Sequence, residues 1–428
     1  MQPDELLDPW IGGPGAKGYP HDRPPLRRSQ IGAQGWQLLR GDLPLPLAVV
    51  KRDALAGNLR WLQQFAQARG VDLAPHGKTP MSPQIFAAQL QAGAWGITFA
   101  NVVQARLGVL AGVPRGLIAN QVLAAADLQA LAALRQAQPG LRLPFLVDSA
   151  AQAAQVEAWF QAQPTPPSPF EVLLELGLDG GRTGCRSAEQ ALALARQLHA
   201  SPAFALAGIE CYEGLWAKGR SDEDRALVDG LMQRVHAVVR QCDAEGLFDT
   251  DELLLSAGGS SIFDLVAPWL RLRLSRPVRG VLRSGCYATH DHGSYRRYMA
   301  VMETRLGCSH GLQAALEVWT RVQSCPEPGL ALLSAGKRDC SYDIEMPIPA
   351  HWLARGQDAP VPAPEAWKVS AMNDQHAYLR FEAHGPAPQV GDLVGLGISH
   401  PCTTFDKWRW MAVVDDRYDV VDAIATYF

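Results

Sequence analysis

The chain has 428 residues, of which 47% are hydrophobic, and this is enough for one large domain and a second, smaller domain with extensive cores. Its formal net charge is -4, and charges of both signs are interspersed, so no basic stripe marks a nucleic-acid partner. No uninterrupted apolar run reaches the roughly 18 residues that cross a bilayer. Composition therefore argues against nucleic-acid and membrane partners and favours small soluble ligands.

The cysteine pattern indicates a reducing compartment. The cysteines are scattered without CxxC pairs, and no charged-then-apolar N-terminal segment resembles a secretory signal. We therefore expect free thiols and a cytoplasmic location.

Residues 1–44 differ in composition from the rest of the chain. They are rich in glycine, proline and charge, as in the stretch 11–18, which predicts an irregular N-terminal arm rather than a packed element. The apolar run 47–50 that follows predicts a strand, and we assign residues 45–50 to the second domain.

Residues 51–288 alternate short apolar runs with helical patterns rich in Ala, Leu and Gln. Strands are predicted near 72–75, 96–100, 116–120, 144–148, 171–178, 206–212, 252–256 and 281–287. Helices are predicted at about 53–69 and at 84–92, 125–137, 149–163, 187–199 and 222–245. Continuous apolar runs such as 145–147 are typical of parallel strands covered on both faces. This α/β pattern favours a (β/α)8 TIM-type barrel over a six-strand open sheet.

Beyond residue 288 the alternation fades. Runs at 315–322, 331–333, 377–381, 393–396 and 410–414 are separated by turn residues and predict a mainly antiparallel β domain. This domain comprises residues 45–50 and 289–428.

Lys78 follows the first predicted strand, and barrel enzymes collect their catalytic groups at the carboxyl ends of the strands. A lysine held there can form an imine with pyridoxal phosphate. A nucleotide-binding P-loop is excluded, because Gly-Lys-Thr would need a glycine where Asp72 stands. The alternative for this lysine alone is a solvated surface position.

Two further loops at the same rim are candidates for a phosphate site. Barrels frequently bind phosphate in the loops after strands seven and eight, where small residues let amide groups approach an anion. The residues concerned are Ser256, Gly258, Gly259 and Ser260 in one loop and Gly285, Cys286 and Tyr287 in the other. The alternative is a pair of ordinary Gly/Ser turns.

Arg182 and Tyr212 follow strands five and six. An arginine at the pyridine nitrogen of the cofactor would leave that nitrogen unprotonated and so give a weaker electron sink. Tyr212 could pack beside the cofactor or donate its hydroxyl. The alternatives are an arginine on a surface turn and a half-buried tyrosine.

The β domain contributes one more constellation, His400 and Cys402. An imidazole and a thiolate two residues apart can bind one zinc ion, although two ligands do not complete a tetrahedral site. Water or substrate would fill the remaining positions. His290 and His292 could also contribute, but a polar loop is the simpler interpretation of that pair.

Taken together, these motifs resemble the D-serine dehydratase and D-threonine aldolase family, within the alanine-racemase-like (fold type III) pyridoxal enzymes. The match extends in order over about residues 45–415 and includes Asn-Asp-Gln-His at 373–376. In that family the lysine of a His-x-Lys-Thr motif binds the cofactor covalently, and a His-x-Cys or His-x-Asp pair holds a divalent metal. Lys78, His400 and Cys402 fall on those positions. Gln375 and Ala377 depart from the family motif, which has glutamate and glycine there.

The resemblance implies a pyridoxal-phosphate- and metal-dependent lyase acting on a small amino acid, with zinc favoured and manganese as the alternative. The implied reaction is the dehydration of a D-β-hydroxy amino acid such as D-serine, D-threonine or a 3-hydroxyaspartate to a keto acid and ammonia. Three other functions stay open: retro-aldol cleavage as in D-threonine aldolase, amino-acid racemisation, and a noncatalytic pyridoxal-phosphate carrier. The resemblance also implies a homodimer.

Overall fold

The N-terminal segment folds onto the rest of the protein in the computed structural model, which describes residues 3–428. It forms α1 (Pro3–Leu7), β1 (Trp10–Ile11), β2 (Leu26–Arg27), α2 (Arg28–Ile31) and a 3-10 turn (Gly32–Gln34). Tyr19 and Trp36 are buried in a cluster with Trp319 and Trp410 of the β domain. The prediction that this arm is not a packed element was therefore wrong. Its large side chains are spaced irregularly between glycines and prolines, so they show no helical or strand period. Each of them nevertheless packs individually into the core of the β domain.

A strand of the β domain leads into eight alternating strands and helices. The elements in chain order are β3 (Leu47–Lys51), α3 (Arg52–Ala68), β4 (Asp72–Leu73), α4 (Pro83–Gln91), β5 (Ile97–Phe99), α5 (Val102–Leu110), β6 (Gly116–Gln121), α6 (Ala125–Ala137), β7 (Phe145–Val147), α7 (Ala150–Gln161), β8 (Phe170–Leu176), α8 (Ala188–Ala200), β9 (Phe204–Cys211), α9 (Ser221–Ala244), β10 (Leu253–Ala257), α10 (Phe263–Val266), a 3-10 turn (Ala267–Leu270) and β11 (Val278–Leu282). Strands β5 to β11 pair in sequence order, all parallel, and β11 pairs with β4. Helix α5 was missed because its apolar residues follow no helical period.

The barrel closes between β4 and β5. The amide of Trp95 donates to the carbonyl of Leu73 at 2.7 Å, and the amide of Thr98 donates to the carbonyl of Pro75 at 2.9 Å. His76 and Thr98 add an isolated parallel bridge. The predicted (β/α)8 barrel is therefore confirmed, together with a mainly antiparallel second sheet.

The barrel interior is apolar in the middle and polar at the carboxyl ends of the strands. Its central layer is Ala74, Trp95, Leu117, Leu146, Leu173, Ala207, Leu254 and Val281. Because side chains alternate between the two faces of a strand, the residues two positions later on β8, β10 and β11 also point inward. On β9 the next inward residue comes three positions after Ala207, because the register shifts at Gly208. Glu175, Glu210 and Ser256 lie side by side in register there, and Arg283 follows Val281. The barrel thus has a charged layer directly below its mouth.

The remaining chain builds the β domain. Its elements are a 3-10 turn (Cys286–Ala288), α11 (Ser294–Leu306), β12 (Leu316–Glu327), β13 (Leu330–Leu333), β14 (Ile348–Leu353), β15 (Val361–Pro362), β16 (Lys368–Met372), β17 (Ala377–Arg380), β18 (Leu393–Gly397), α12 (Cys402–Phe405), β19 (Trp410–Val414) and β20 (Val420–Ala425). Strand β3 pairs antiparallel with β12 and parallel with β19, so the early strand belongs to this sheet. Helix α11 and strands β14, β16 and β20 were not predicted. None of the helices formed by residues 3–428 has the length and apolar character needed to cross a bilayer.

The segment between barrel and β domain contains a buried histidine, His290, and a half-buried one, His292, where a polar loop had been predicted. His290 is 4% exposed, has a φ of 48°, and its Nε2 has no partner among residues 3–428. The ring of His292 lies on Gly397, where any Cβ would overlap it. Burial lowers the pKa of His290 to about 3, helped by the neighbouring His292, and lowers the pKa of His292 to about 4. The junction is thus stable only with neutral imidazoles.

Acid should destabilise the fold through this junction. The unfolded chain takes up a proton at each histidine as the pH falls below about 6.5, whereas folded His290 stays neutral until about pH 3. We expect His290 to account for a loss of about 2 kcal/mol in the free energy of unfolding between pH 7 and pH 5. His290→Asn, which tolerates the positive φ, should remove that part of the pH dependence in urea denaturation. The control His310→Gln replaces an exposed histidine, and an unchanged pH slope in His290→Asn would contradict the expectation.

Candidate active site

Lys78 lies in the turn that follows β4, at the mouth of the barrel. The amide of Gly77 donates to the carbonyl of Thr98 at 2.7 Å, and the amide of Met81 donates to the carbonyl of Gly77 at 2.9 Å, which fixes the turn on both sides of the lysine. The side chain is half-buried and makes no hydrogen bond or ion pair among residues 3–428. An unpaired amine at this rim is what imine formation with an aldehyde requires.

A buried ion pair lies in the charged layer below the mouth. Arg283 pairs with Glu210 and donates to the carbonyl of Cys211 at 3.0 Å. Burial raises the pKa of Glu210 to about 8, and Arg283 opposes that rise. Burial, followed by the charges of Lys78 and Arg283, holds the pKa of His76 well below its usual range. At neutral pH this layer therefore contains a neutral imidazole beside the Arg283–Glu210 pair.

Three buried polar atoms of this layer lack a partner among residues 3–428: Nε of Arg283, Oε2 of Glu210 and Nδ1 of His76. Orphaned buried groups are rare in folded proteins, and a bound polar ligand is one of the usual reasons for them. The residues present therefore fit a polar cofactor resting on this layer. Sequence reasoning missed Arg283 and Glu210, and the available signal was a charged residue at the carboxyl end of a mainly apolar strand.

The glycine-rich loop after β8 carries Arg182 to the rim. The hydroxyl of Thr183 donates to Glu175 at 2.6 Å, and the amide of Gly184 donates to Asp148 at 2.9 Å, so the loop is tied to the polar layer. Arg182 itself is exposed, with its guanidinium 5.0 Å above the ring of Tyr212. Burial raises the pKa of Tyr212 to about 12, so its hydroxyl stays protonated. The two residues form one stacked pair, and a contact of Arg182 with the pyridine nitrogen stays a prediction.

The loop after β10 differs from the prediction in two details. Ser256 lies within β10 rather than in the loop, and its hydroxyl donates to the carbonyl of Val281 at 3.1 Å, so it has no free group for a cofactor. The amides of Gly258 and Gly259 already donate to the carboxylate of Glu213, at 3.2 and 3.1 Å. Ser260, one residue further on, is half-buried.

The loop after β11 packs against the Lys78 turn. A Cβ on Gly285 would come within 2.8 Å of the Thr79 hydroxyl, so only glycine allows this approach. Cys286 is buried, with its Sγ 3.9 Å from that same hydroxyl. Tyr287 points away from the mouth, and Gln89 of α4 donates to its hydroxyl at 3.4 Å. The predicted role of Tyr287 at the cofactor therefore gains no support from its position.

His400 and Cys402 come from the loop after β18 and meet the barrel at this point. The Cys402 Sγ lies 3.3 Å from the Thr79 hydroxyl and 3.7 Å from the Cys286 Sγ. The imidazole Nδ1 of His400 lies 2.6 Å from a carboxylate oxygen of Asp343, a residue that sequence reasoning missed. The hydroxyl of Thr403 donates to the other carboxylate oxygen of Asp343 at 2.7 Å, which orients the acid.

The pKa shifts of His400 and Cys402 favour a protonated imidazole beside a thiolate when no metal is bound. A hydrogen bond from Cys286 and the neighbouring His400 hold the pKa of the Cys402 thiol well below its usual value, against the effect of burial. Burial opposes protonation of His400, but hydrogen bonds to Cys402 and Asp343 raise the pKa of His400 to about 9. A thiolate and an imidazole held through Nδ1 by a carboxylate are good ligands for a divalent metal such as zinc. No three His, Cys, Asp or Glu side chains among residues 3–428 converge on an ion position, so protein ligands beyond the pair are not preformed.

Comparison with known protein families gives one match for the barrel and one for the β domain. Residues 50–277 match the family model described as "Alanine racemase, N-terminal domain", and residues 315–414 match the model described as "Putative serine dehydratase domain". The chain is 29% identical over 376 residues to a D-threonine aldolase of Arthrobacter sp., covering 87% of this chain and 89% of that protein.

Two solved structures extend the comparison. A D-threonine aldolase from Filomicrobium marinum superposes with a TM-score of 0.74 at 23% identity, covering 90% of this chain and 95% of the other, which supports the fold. The D-threo-3-hydroxyaspartate dehydratase of Delftia sp. HT23 superposes with a TM-score of 0.72 at 25% identity, covering 91% of this chain and 99% of the other. One variant of that dehydratase is described as being in the metal-free form. The chain therefore belongs to the D-serine dehydratase and D-threonine aldolase family of alanine-racemase-like, fold type III pyridoxal-phosphate enzymes.

Proposed function

We propose that the protein is a metal-dependent dehydratase that converts a D-β-hydroxy amino acid, such as D-serine, D-threonine or a 3-hydroxyaspartate, to a keto acid and ammonia. The observation that carries the proposal is the 3.3 Å contact between Cys402 and Thr79, the neighbour of Lys78. It brings the amine of the barrel and the His-x-Cys pair of the β domain into one cleft. A substrate held there can lose its α-proton and its β-hydroxyl on opposite sides of one small space.

Each residue of the cleft has a task in this reaction. When bound, pyridoxal phosphate supplies an electron sink and a divalent metal supplies a Lewis acid for the β-hydroxyl. The amine of Lys78, which has no partner among residues 3–428, accepts the α-proton of the substrate. His400 and Cys402 would hold the metal, and Asp343 orients the imidazole by accepting its Nδ1–H. Tyr212 stays protonated and offers a hydrogen-bond donor at the rim.

Retro-aldol cleavage is the second candidate, because the relatives include D-threonine aldolases and a 3-hydroxy-D-aspartate aldolase. It would use the same amine and metal pair but break the Cα–Cβ bond. In the family that the chain resembles, aldolases typically carry an aspartate at the position of Cys402, and the thiolate here favours dehydration. A racemase would need a second base, which we do not identify. A noncatalytic carrier would have no use for the metal-binding pair.

The deciding experiment is product analysis on purified holoenzyme. We expect D-β-hydroxy amino acids, but not their L-isomers, to give keto acid and ammonia in equal amounts, and a chelator to suppress both. Glycine together with an aldehyde would instead establish the aldolase and overturn the dehydratase proposal. Interconversion of the D- and L-isomers without other products would establish the racemase.

A further inference from the structure

The carboxylate of Glu213 is hydrogen-bonded to the loop after β10, in which a phosphate site had been predicted. Glu213 follows Tyr212 after β9, is 1% exposed, and its two carboxylate oxygens accept hydrogen bonds from the consecutive amides of Gly258 and Gly259, at 3.2 and 3.1 Å. The carbonyls of the same two glycines are also bonded. Gly258 accepts from the amide of Arg283 at 3.0 Å, and Gly259 accepts from the hydroxyl of Ser284 at 2.8 Å.

The two glycines are therefore saturated, and their amides are not free for an external anion. The next two amides, of Ser260 and Ser261, donate to no acceptor among residues 3–428. Building on the proposed function, we propose that Glu213 is the positioning residue of the cofactor's phosphate loop. It fixes the two glycines internally so that the amides of Ser260 and Ser261 bind the 5'-phosphate.

The glycines are required by this arrangement. Gly258 has a φ of +88°, a conformation that residues with a side chain rarely adopt. A Cβ on Gly259 would come within 2.7 Å of the Tyr212 ring. The backbone can therefore approach Glu213 closely only because both positions lack side chains, so the loop is shaped for the carboxylate.

The negative charge of Glu213 beside a proposed phosphate site has to be offset by a positive charge, and Arg283 provides one. Arg283 is buried beside both Glu210 and Glu213 and interacts electrostatically with each. The positive charge of Arg283 therefore offsets part of the negative charge of the two carboxylates. The phosphate would then meet the amide dipoles of Ser260 and Ser261 rather than two uncompensated carboxylates.

The test compares pyridoxal 5'-phosphate with pyridoxal, which lacks the phosphate, in spectroscopic titrations of the apoenzyme. In Glu213→Gln the side-chain NH2 faces one glycine amide, donor against donor, and Glu213→Ala leaves both amides unbonded. We expect each variant to bind pyridoxal phosphate about 10- to 100-fold more weakly than the wild type, the effect of losing one or two charge-assisted hydrogen bonds. Binding of pyridoxal should change less than about two-fold, which would also show that the variant is folded. The control is Glu365→Gln, an exposed residue of the β domain.

Two results would overturn the proposal: equal weakening for both aldehydes, which would mean a general effect on the fold, or no weakening for either. If neither variant folds, Glu213→Asp keeps the charge but withdraws the carboxylate by one methylene, and the same comparison applies. The proposed function fails separately, if the wild type itself binds no pyridoxal phosphate.

Discussion

Lys78→Ala should lower turnover by at least about 1000-fold and abolish the visible absorption band of the bound cofactor. The amine has no partner among residues 3–428, and its neighbour Thr79 contacts both Cys286 of the loop after β11 and Cys402. Its removal would take away the proposed covalent link and the proposed base in one step. Absorption spectra of the purified variant and initial rates with D-β-hydroxy amino acids measure the two effects.

Two further variants separate these roles from simple loss of charge. Lys78→Arg keeps a positive charge but cannot form an imine, and we expect it to be as inactive as Lys78→Ala. Lys218→Ala removes a lysine of the loop after β9, which pairs with Glu223 at the surface, and should leave spectrum and rate unchanged. A Lys78→Ala protein that retains the wild-type spectrum would show that another amine binds the cofactor.

The strands and most helices of the barrel were predictable because each is encoded by the hydrophobic pattern of its own segment. A run such as Phe145–Val147 is apolar on both faces and can only be a strand covered on both sides, and the helix predicted at 125–137 coincides with α6. The N-terminal arm was not predictable in the same way. Tyr19 and Trp36 stand alone in polar, glycine-rich surroundings, and their burial depends on the shape of a β domain that is assembled some 300 residues later in the chain.

The residues of the candidate site also fall into two groups, those that a local motif reveals and those that only the fold reveals. Lys78, His400 and Cys402 belong to short motifs whose chemistry can be read from adjacent residues. Asp343 and Glu213 cannot be found in this way, because each acts on a partner that is distant in sequence: His400 lies 57 residues from Asp343, and Gly258 lies 45 residues from Glu213. An acidic residue in isolation is most often exposed, so only the fold reveals that these two are held against a ring nitrogen and two amides.

Cys402→Ala should retain the cofactor but lower turnover by about 1000-fold, since a Lewis acid on the leaving hydroxyl contributes several kcal/mol to such a step. The thiol lies between Thr79 and Cys286, where the barrel and the β domain meet, so its loss would remove a proposed metal ligand without touching Lys78. Asp343→Asn leaves both proposed ligands in place but weakens the support of the His400 ring. We expect it to lower metal affinity about 10- to 100-fold and to recover activity at high metal concentration, as measured by metal titration and rate.

The metal-free wild type provides the decisive comparison. If the Lewis acid is needed only to expel the hydroxyl, chelated enzyme should keep the absorption band of its cofactor and exchange the substrate's α-proton with solvent, while forming no keto acid. Cys402→Ala should behave in the same way, and Cys325→Ser, which changes an exposed thiol far from the cleft, should behave as the untreated enzyme. Full turnover in metal-free buffer would exclude the Lewis-acid role, and loss of α-proton exchange together with product would place the metal in substrate binding instead. Because proton exchange reports on Lys78 and keto acid reports on the His400–Cys402 pair, the two measurements assign the two halves of the reaction to the two domains.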